Sequence, residues 1–385
     1  MSSLPSPSTE AQAHSERLTQ RLKHDIQQQQ RGWVSFAEFM HRALYEPGLG
    51  YYVSGSRKLG AEGDFVTAPE LSPSFGECLA LQCQQIFDVI EAPSILEFGA
   101  GSGIMAVDIL STLEKKQQLP QHYYILEVSP DFQERQLNTL REKCPHLLRY
   151  VSWVSELPKN FEGVVLANEV LDAMPVHVFE LQNGKIFEKG VSINDGDFVW
   201  KTRNDIDLDV GAIPPWLPDL PDGYVSEICL AIKPWLEALY LSMKRGAVIL
   251  IDYGFPEREY YHPDRDQGTL MCHYRHHAHT DPFLYVGLQD ITAHVDFTTV
   301  ARAADQLGFS VVGYTDQASF LMALGIVSNT DIALLNTQQH YQHAQAIKKL
   351  LLPSEMGELF KVIALSKNIE IPLQGFSLKN DVHRL

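Results

Sequence analysis

The sequence predicts an α/β chain: a doubly wound, largely parallel sheet, preceded by a helical segment and interrupted by an antiparallel β insertion. Three stretches carry that prediction. The apolar run Ile95-Leu96-Glu97-Phe98 feeds the turn Gly99-Ala100-Gly101-Ser102-Gly103, which opens an apolar-periodic segment from Ile104 to Leu113. That is a buried strand, a tight turn and a helix start, the first half of a nucleotide-binding βαβ unit. His122 to Glu127 then reads as a second strand ending in a carboxylate. Val176 to Leu181 and Lys185 to Glu188 instead flank Asn183-Gly184, the strongest short signal for an antiparallel hairpin.

Taken in order, residues 1–12 are Ser/Pro-rich and expected to form a disordered tail. Residues 13–92 read as an N-terminal helical segment. Within it Ala13 to Gln30 is polar and helix-compatible, and Ser35 with Glu38 forms a capping box. The helix it opens has the apolar face Phe36, Phe39, Met40, Ala43 and Leu44. An amphipathic helix from Ser74 to Ile90 leads into the nucleotide-binding domain, assigned to 93–175 and 225–366. Its third strand spans Leu148 to Val154, with Ser155 and Glu156 beyond it. The fourth, Phe161 to Ala167, is wholly apolar from Val164, as suits a parallel strand covered on both faces. Residues 176–224 form an inserted antiparallel platform. A helix from Glu227 to Lys244, kinked at Pro234 and capped by Gly246, precedes a fifth strand at Ala247 to Ile251. Residues 255–296 read as a loop on the acceptor side. Phe297 to Leu307 is a helix, Phe309 to Tyr314 a sixth strand, and Lys361 to Leu365 the last.

Composition limits the function. With 45% hydrophobic and 21% charged residues the chain is of the soluble globular type, and no apolar run approaches the roughly 18 residues of a membrane helix. The start has neither a basic n-region nor an apolar h-region. Five scattered cysteines without a C-x-x-C pattern suggest reduced thiols and a cytoplasmic address. A net charge of −17 repels phosphate backbones, so nucleic acid is not expected as a partner. Cys272 to His279 holds four of the 15 histidines, but adjacent imidazoles lack zinc spacing, and no metal is expected.

The glycine turn brings backbone N–H groups close to a ligand at a helix N-terminus. Glu127 follows near the roughly 20-residue offset at which an acid grips ribose hydroxyls. Gly101 to Ala106 matches the G-x-G-x-x-A form of the dinucleotide fingerprint, which leaves a dehydrogenase open. However, Glu97 makes the turn E-x-G-x-G-x-G, which resembles motif I of class I S-adenosylmethionine (SAM) methyltransferases. That resemblance implies a Rossmann-like class I methyltransferase sheet. It also implies that Gly99, Ala100, Gly101 and Gly103 pack on the methionine end of SAM, with Glu97 near its amino group and Glu127 and Val128 on the ribose side. By analogy Phe65, Thr67, Pro69 and Glu70, just ahead of the first domain helix, fold over the methionine end; otherwise that loop merely caps the fold. Ser155 and Glu156 are adenine candidates. At the carboxyl end of the fourth strand, Asn168, Glu169 and Asp172 form a polar group that either holds the methyl acceptor or caps a helix. Glu227 is a reserve candidate for the same role.

Longer segments extend the resemblance. Tyr45-Glu46-Pro47-Gly48-Leu49-Gly50-Tyr51-Tyr52, Gly63 to Glu70, Asn168 to His177, Ile251-Asp252-Tyr253-Gly254, Asp290 to Phe297 and Met356 to Phe360 together resemble the MidA-like family. That family includes the mitochondrial complex I assembly factor that is a protein arginine methyltransferase. The glycine turn departs from it: the mitochondrial member resembles E-L-G-P-G-R-G-T, and this chain keeps the glycines but not the Arg. The resemblance implies methylation of an exposed arginine on a partner protein, the quinone-site subunit of complex I. A SAM-binding assembly chaperone and a small-molecule methyltransferase stay open, as does a homodimer.

Overall fold

The computed structural model describes residues 4–54, 67–203, 213–328 and 337–385. The chain divides into two compact units. The first comprises 1–65, 172–234 and 257–295; the second comprises 66–171, 235–256 and 296–385.

The second unit is built on a twisted sheet whose seven main strands are β1 (Ser94–Phe98), β2 (Tyr123–Leu126), β3 (Val151–Val154), β4 (Phe161–Asn168), β5 (Met243–Phe255), β6 (Ser310–Asp316) and β7 (Phe360–Lys367). They lie in the order β3-β2-β1-β4-β5-β7-β6. The pairs from β3 through to β5 are parallel, and β7 is antiparallel to both β5 and β6. The strand order reverses between β1 and β4, so ligands are expected at the carboxyl ends of those two strands. All five residues of β1 are buried. Helices Pro73–Phe87 and Ile104–Lys115 contribute Phe75, Leu79, Ile86, Ile109 and Leu110 to the same core as Ile95, Val164 and Ile249.

Gly246 does not cap a helix. It lies within β5, opposite Gly163 of β4. A Cβ at Gly246 would stand 1.9 Å from the Gly163 carbonyl oxygen, and one at Gly163 would stand 1.8 Å from that of Ser94. The preceding helix is shorter than its apolar pattern suggests, Ile232–Ser242, because Val225–Ile228 is a strand. Pro234 therefore falls in the first helical turn, where its missing N–H costs nothing, and needs no kink.

The first unit is antiparallel. Strand Lys185–Asn194 pairs with His177–Gln182, Trp33–Val34 and Asp197–Arg203, and His177–Gln182 pairs with Val225–Ile228. The hairpin tip has left-handed φ at both Asn183 (52°) and Gly184 (68°), the type I′ geometry that Asn-Gly favours. Phe36, Phe39, Phe198, Trp200 and Phe283 form an aromatic cluster in its core. The stretch expected as a loop, 255–296, contains a small sheet, with Met271–Tyr274 paired to both His277–His279 and Asp290–Thr292. The expected tail is also partly ordered. A helix runs Thr9–Gln28, with the Ser8 side chain accepting from the Ala11 N–H and Leu18, Leu22 and Ile26 buried. Its i, i+4, i+8 apolar line starts too sparsely to show through a polar sequence.

Candidate functional site

The glycine turn leaves β1 in a conformation that side chains resist. Gly99, Gly101 and Gly103 have φ of 58°, 54° and 84°. A Cβ at Gly103 would stand 3.0 Å from Gln136 Cα, and one at Gly99 would stand 3.5 Å from Val170 Cγ2. Glycine adopts these angles at no steric cost, and the Gly99 and Gly103 N–H groups are used within the fold, donating to the Leu126 and Ala100 carbonyls at 3.1 and 2.7 Å. The helix Ile104–Lys115 starts directly beyond it. Glu70 lies against the same turn, where the Ser102 hydroxyl donates to its carboxylate. Thr67 precedes the short helix Ala68–Leu71, and Pro69 is buried within it. Phe65 lies outside the described residues.

Two carboxylates flank the turn. Glu97 is 1% exposed and accepts from the Tyr123 hydroxyl at 2.7 Å. Burial, and secondarily the charge of Glu127, push its pKa to about 7, against the opposing bond from Tyr123. Glu127 follows β2 and accepts from the Ser129 N–H at 3.0 Å and from Gln136 Nε2 at 3.0 Å. Val128 beside it is 63% exposed, and Ser155 and Glu156 are exposed beyond β3. These residues fit SAM: a left-handed glycine turn at a helix start, a buried acid beside it, and an acid at the end of the neighbouring strand.

The adjacent strand supplies the acceptor candidates. Phe98 pairs with Ala167, so the turn and Asn168-Glu169 leave the sheet side by side. Glu169 holds φ of 52°, a left-handed conformation rare for a non-glycine residue. Its N–H donates to the Ile251 carbonyl at 2.9 Å, and the buried Asp252 carboxylate accepts from the Val170 and Leu171 N–H groups at 3.2 and 2.9 Å. Those bonds hold the strained turn. Asn168 Nδ2 donates to Glu169 Oε1 at 3.1 Å, while Asn168 Oδ1 is buried with no hydrogen-bond partner among the described residues. Asp172 belongs to the first unit and is buried. Glu227 is structural: it accepts from Thr269 and Leu270 N–H groups, the Thr269 hydroxyl and Tyr260. Among the described residues no group of three or more His, Cys, Asp or Glu could hold a metal ion, and no helix is long and apolar enough to cross a membrane.

Sequence reading missed Tyr123, Gln136 and Asp252. One signal was available for Gln136. It occupies the buried line Phe132, Gln136, Leu140 of helix Pro130–Lys143, a polar residue on an apolar stripe.

A family model for S-adenosyl-L-methionine-dependent methyltransferases matches residues 78–315. The chain belongs to this family. A Burkholderia thailandensis protein crystallised with S-adenosyl-homocysteine (SAH) is 43% identical to this methyltransferase and covers 100% of both chains with a TM-score of 0.95. Among curated relatives, the Drosophila melanogaster protein arginine methyltransferase NDUFAF7 homolog, mitochondrial, is 27% identical over 97% of this chain and 91% of its own length. The human protein arginine methyltransferase NDUFAF7, mitochondrial, is 28% identical over 87% and 80%. The methyltransferase therefore has a class I fold, binds SAM, and is related to protein arginine methyltransferases. The cytoplasmic address expected from the cysteines is overturned by these relatives, which are mitochondrial proteins. Unpaired thiols do not separate two reducing compartments: all five are free, four of them buried and Cys229 half-buried.

Proposed function

We propose that this methyltransferase transfers the SAM methyl group to an arginine exposed on a partner protein. The Asn168-Glu169 pair supports this reading above all. It joins an acceptor oxygen buried without a partner to a carboxylate in a strained turn, beside the glycine cradle. A guanidinium offers five N–H donors in a rigid fork and suits both.

SAM supplies an electrophilic methyl group on a sulfonium. Glu97 would orient its ammonium and Glu127 its ribose, with the Gly99, Gly101 and Gly103 backbone along the methionine end. Thr67, Pro69 and Glu70 would close that end, and Val128 would border the base. Glu169 would take two N–H bonds of the arginine and draw the charge away from the third nitrogen, which attacks. A proton from one of the two bonded nitrogens would pass to the Glu169 carboxylate, leaving a neutral guanidine whose third nitrogen forms the N–C bond as the C–S bond breaks. Asn168 would fix the guanidinium plane.

Glu169→Gln keeps shape and hydrogen bonding but removes the charge. With a methyl-accepting protein, kcat/KM should fall by more than about 10²-fold, roughly 2.7 kcal/mol, with SAH affinity intact. Near-wild-type turnover would remove Glu169 from the mechanism. The acceptor comes from labelled SAM and a lysate, with mass spectrometry of the labelled protein; the complex I quinone-site subunit is the first candidate. SAM binding with no label transferred to any protein would favour the assembly-chaperone reading.

A further inference from the structure

We propose that Gln136 is the positioning residue that locks the ribose carboxylate Glu127 to the glycine turn; this rests on the SAM-site reading above. Gln136 is fully buried on helix Pro130–Lys143. The Trp153 indole N–H, which can only donate, lies 2.8 Å from its side-chain oxygen, Oε1. That contact fixes the orientation of the amide. Nε2 must then face the other way, where it donates at 3.0 Å to Glu127 Oε2 and at 3.2 Å to the Gly101 carbonyl.

Glutamine alone among similar side chains meets this demand: two donors and one acceptor, uncharged, at one buried point. Glutamate would set a second carboxylate against Glu127 and against a carbonyl. Methionine would fill the space and hold nothing. The amide thus joins three strand ends, since Gly101 follows β1, Glu127 follows β2 and Trp153 lies in β3. The close approach of the helix backbone to Gly103 adds a second tie between the same helix and the turn. The Ser129 N–H holds Glu127 Oε1, and Gln136 fixes the second oxygen, Oε2, before the ligand arrives. Freezing it beforehand is preorganisation.

SAH calorimetry with matched ligand-free melting curves tests this. A bond to a charged group suggests a loss of about 10-fold in SAH affinity for Gln136→Met, and about 100-fold for Gln136→Glu, which adds repulsion. In a Glu127→Ala background, Gln136→Met should add less than about 3-fold, because the group it positions is gone. A purely structural role would carry its full cost into that background and overturn the proposal. So would wild-type affinity in a folded Gln136→Met protein. If Gln136→Met does not fold, Trp153→Phe removes the donor that orients the amide, and unchanged SAH affinity there overturns the proposal. The site reading fails separately: it is lost if Glu127→Ala alone binds SAH like the wild type.

Discussion

Among the described residues, each unit has a glutamate buried to 1% exposure, Glu227 in the first and Glu97 in the second, and the two are handled in opposite ways. Glu227 of the first unit receives bonds from four donor groups: the Thr269 and Leu270 N–H groups and the Thr269 and Tyr260 hydroxyls, at 2.9 to 3.4 Å. Burial raises its pKa and those bonds work against the rise. Glu97 of the second unit has one donor among the described residues, the Tyr123 hydroxyl, and burial pushes it to about 7. A carboxylate wrapped in donors organises backbone. One left short of donors, beside three left-handed glycines, is suited to a cationic ligand group. Burial and residue type are the same in both; the donor count separates the scaffold acid from the candidate site acid.

The largest expected effect is on the scaffold side. Glu227→Ala strands the Thr269 and Leu270 N–H groups and the Thr269 hydroxyl in a buried place, and should cost about 3 kcal/mol or more of stability. Gly268 shows how tightly the carboxylate is enclosed, since a Cβ there would stand 2.1 Å from Glu227 Oε1. Denaturant unfolding should show the loss, with SAH affinity of the folded fraction unchanged. A parallel loss of SAH affinity would break the contrast between the two acids.

The same contrast explains what the sequence revealed. The cradle was legible because Glu97, the glycines and the following helix form one contiguous string, and each step has its own local rule. The hairpin was legible for the same reason, through Asn183-Gly184. Gln136 and Asp252 were not. Gln136 acts on Gly101 from 35 residues away, and Asp252 acts on Leu171 from 81. The first unit is gathered from three separated stretches, so no window contains its core. Glu227 could be taken for an acceptor acid because its donors, at Tyr260 and Thr269 to Leu270, sit far along the chain. The expected helix begins too early, at Glu227, because the last two residues of strand Val225–Ile228 continue the apolar period of the true helix Ile232–Ser242.

A second prediction uses pH. The folded pKa of Glu97, about 7, lies above the ordinary 4.5, so the native ligand-free state holds this proton more tightly than the unfolded chain. Stability should therefore fall as pH rises from about 4.5 to about 7 and level off beyond, by up to about 3 kcal/mol for this group. Asp108, also pushed to about 7 by burial and by Glu77, slopes the same way, so the difference between wild type and Glu97→Gln isolates Glu97. If Glu97 meets the cofactor ammonium, SAH binding at pH 6 should release protons. Calorimetry in two buffers of different ionisation enthalpy measures that release. Glu97→Gln should abolish it, and equal release by both proteins would move the ammonium elsewhere.

The smallest effect expected concerns the hairpin tip of the first unit, which we propose lies on the acceptor-binding face together with 255–296. At Gly184 an added Cβ would meet nothing within 4 Å, so Gly184→Ala adds no clash. Its left-handed φ alone should cost about 1 kcal/mol. That variant is the control for strain. Deleting Asn183 and Gly184 also removes surface that a protein acceptor could touch. SAH affinity should stay at the wild-type value in both, because every candidate SAM contact among the described residues lies in the second unit. Only the deletion should raise KM for the protein acceptor, by about 3-fold, with kcat unchanged, the pattern of lost uniform binding. If SAH affinity falls together with acceptor binding, the insertion is scaffold, and the contrast between the units would rest on the two glutamates alone.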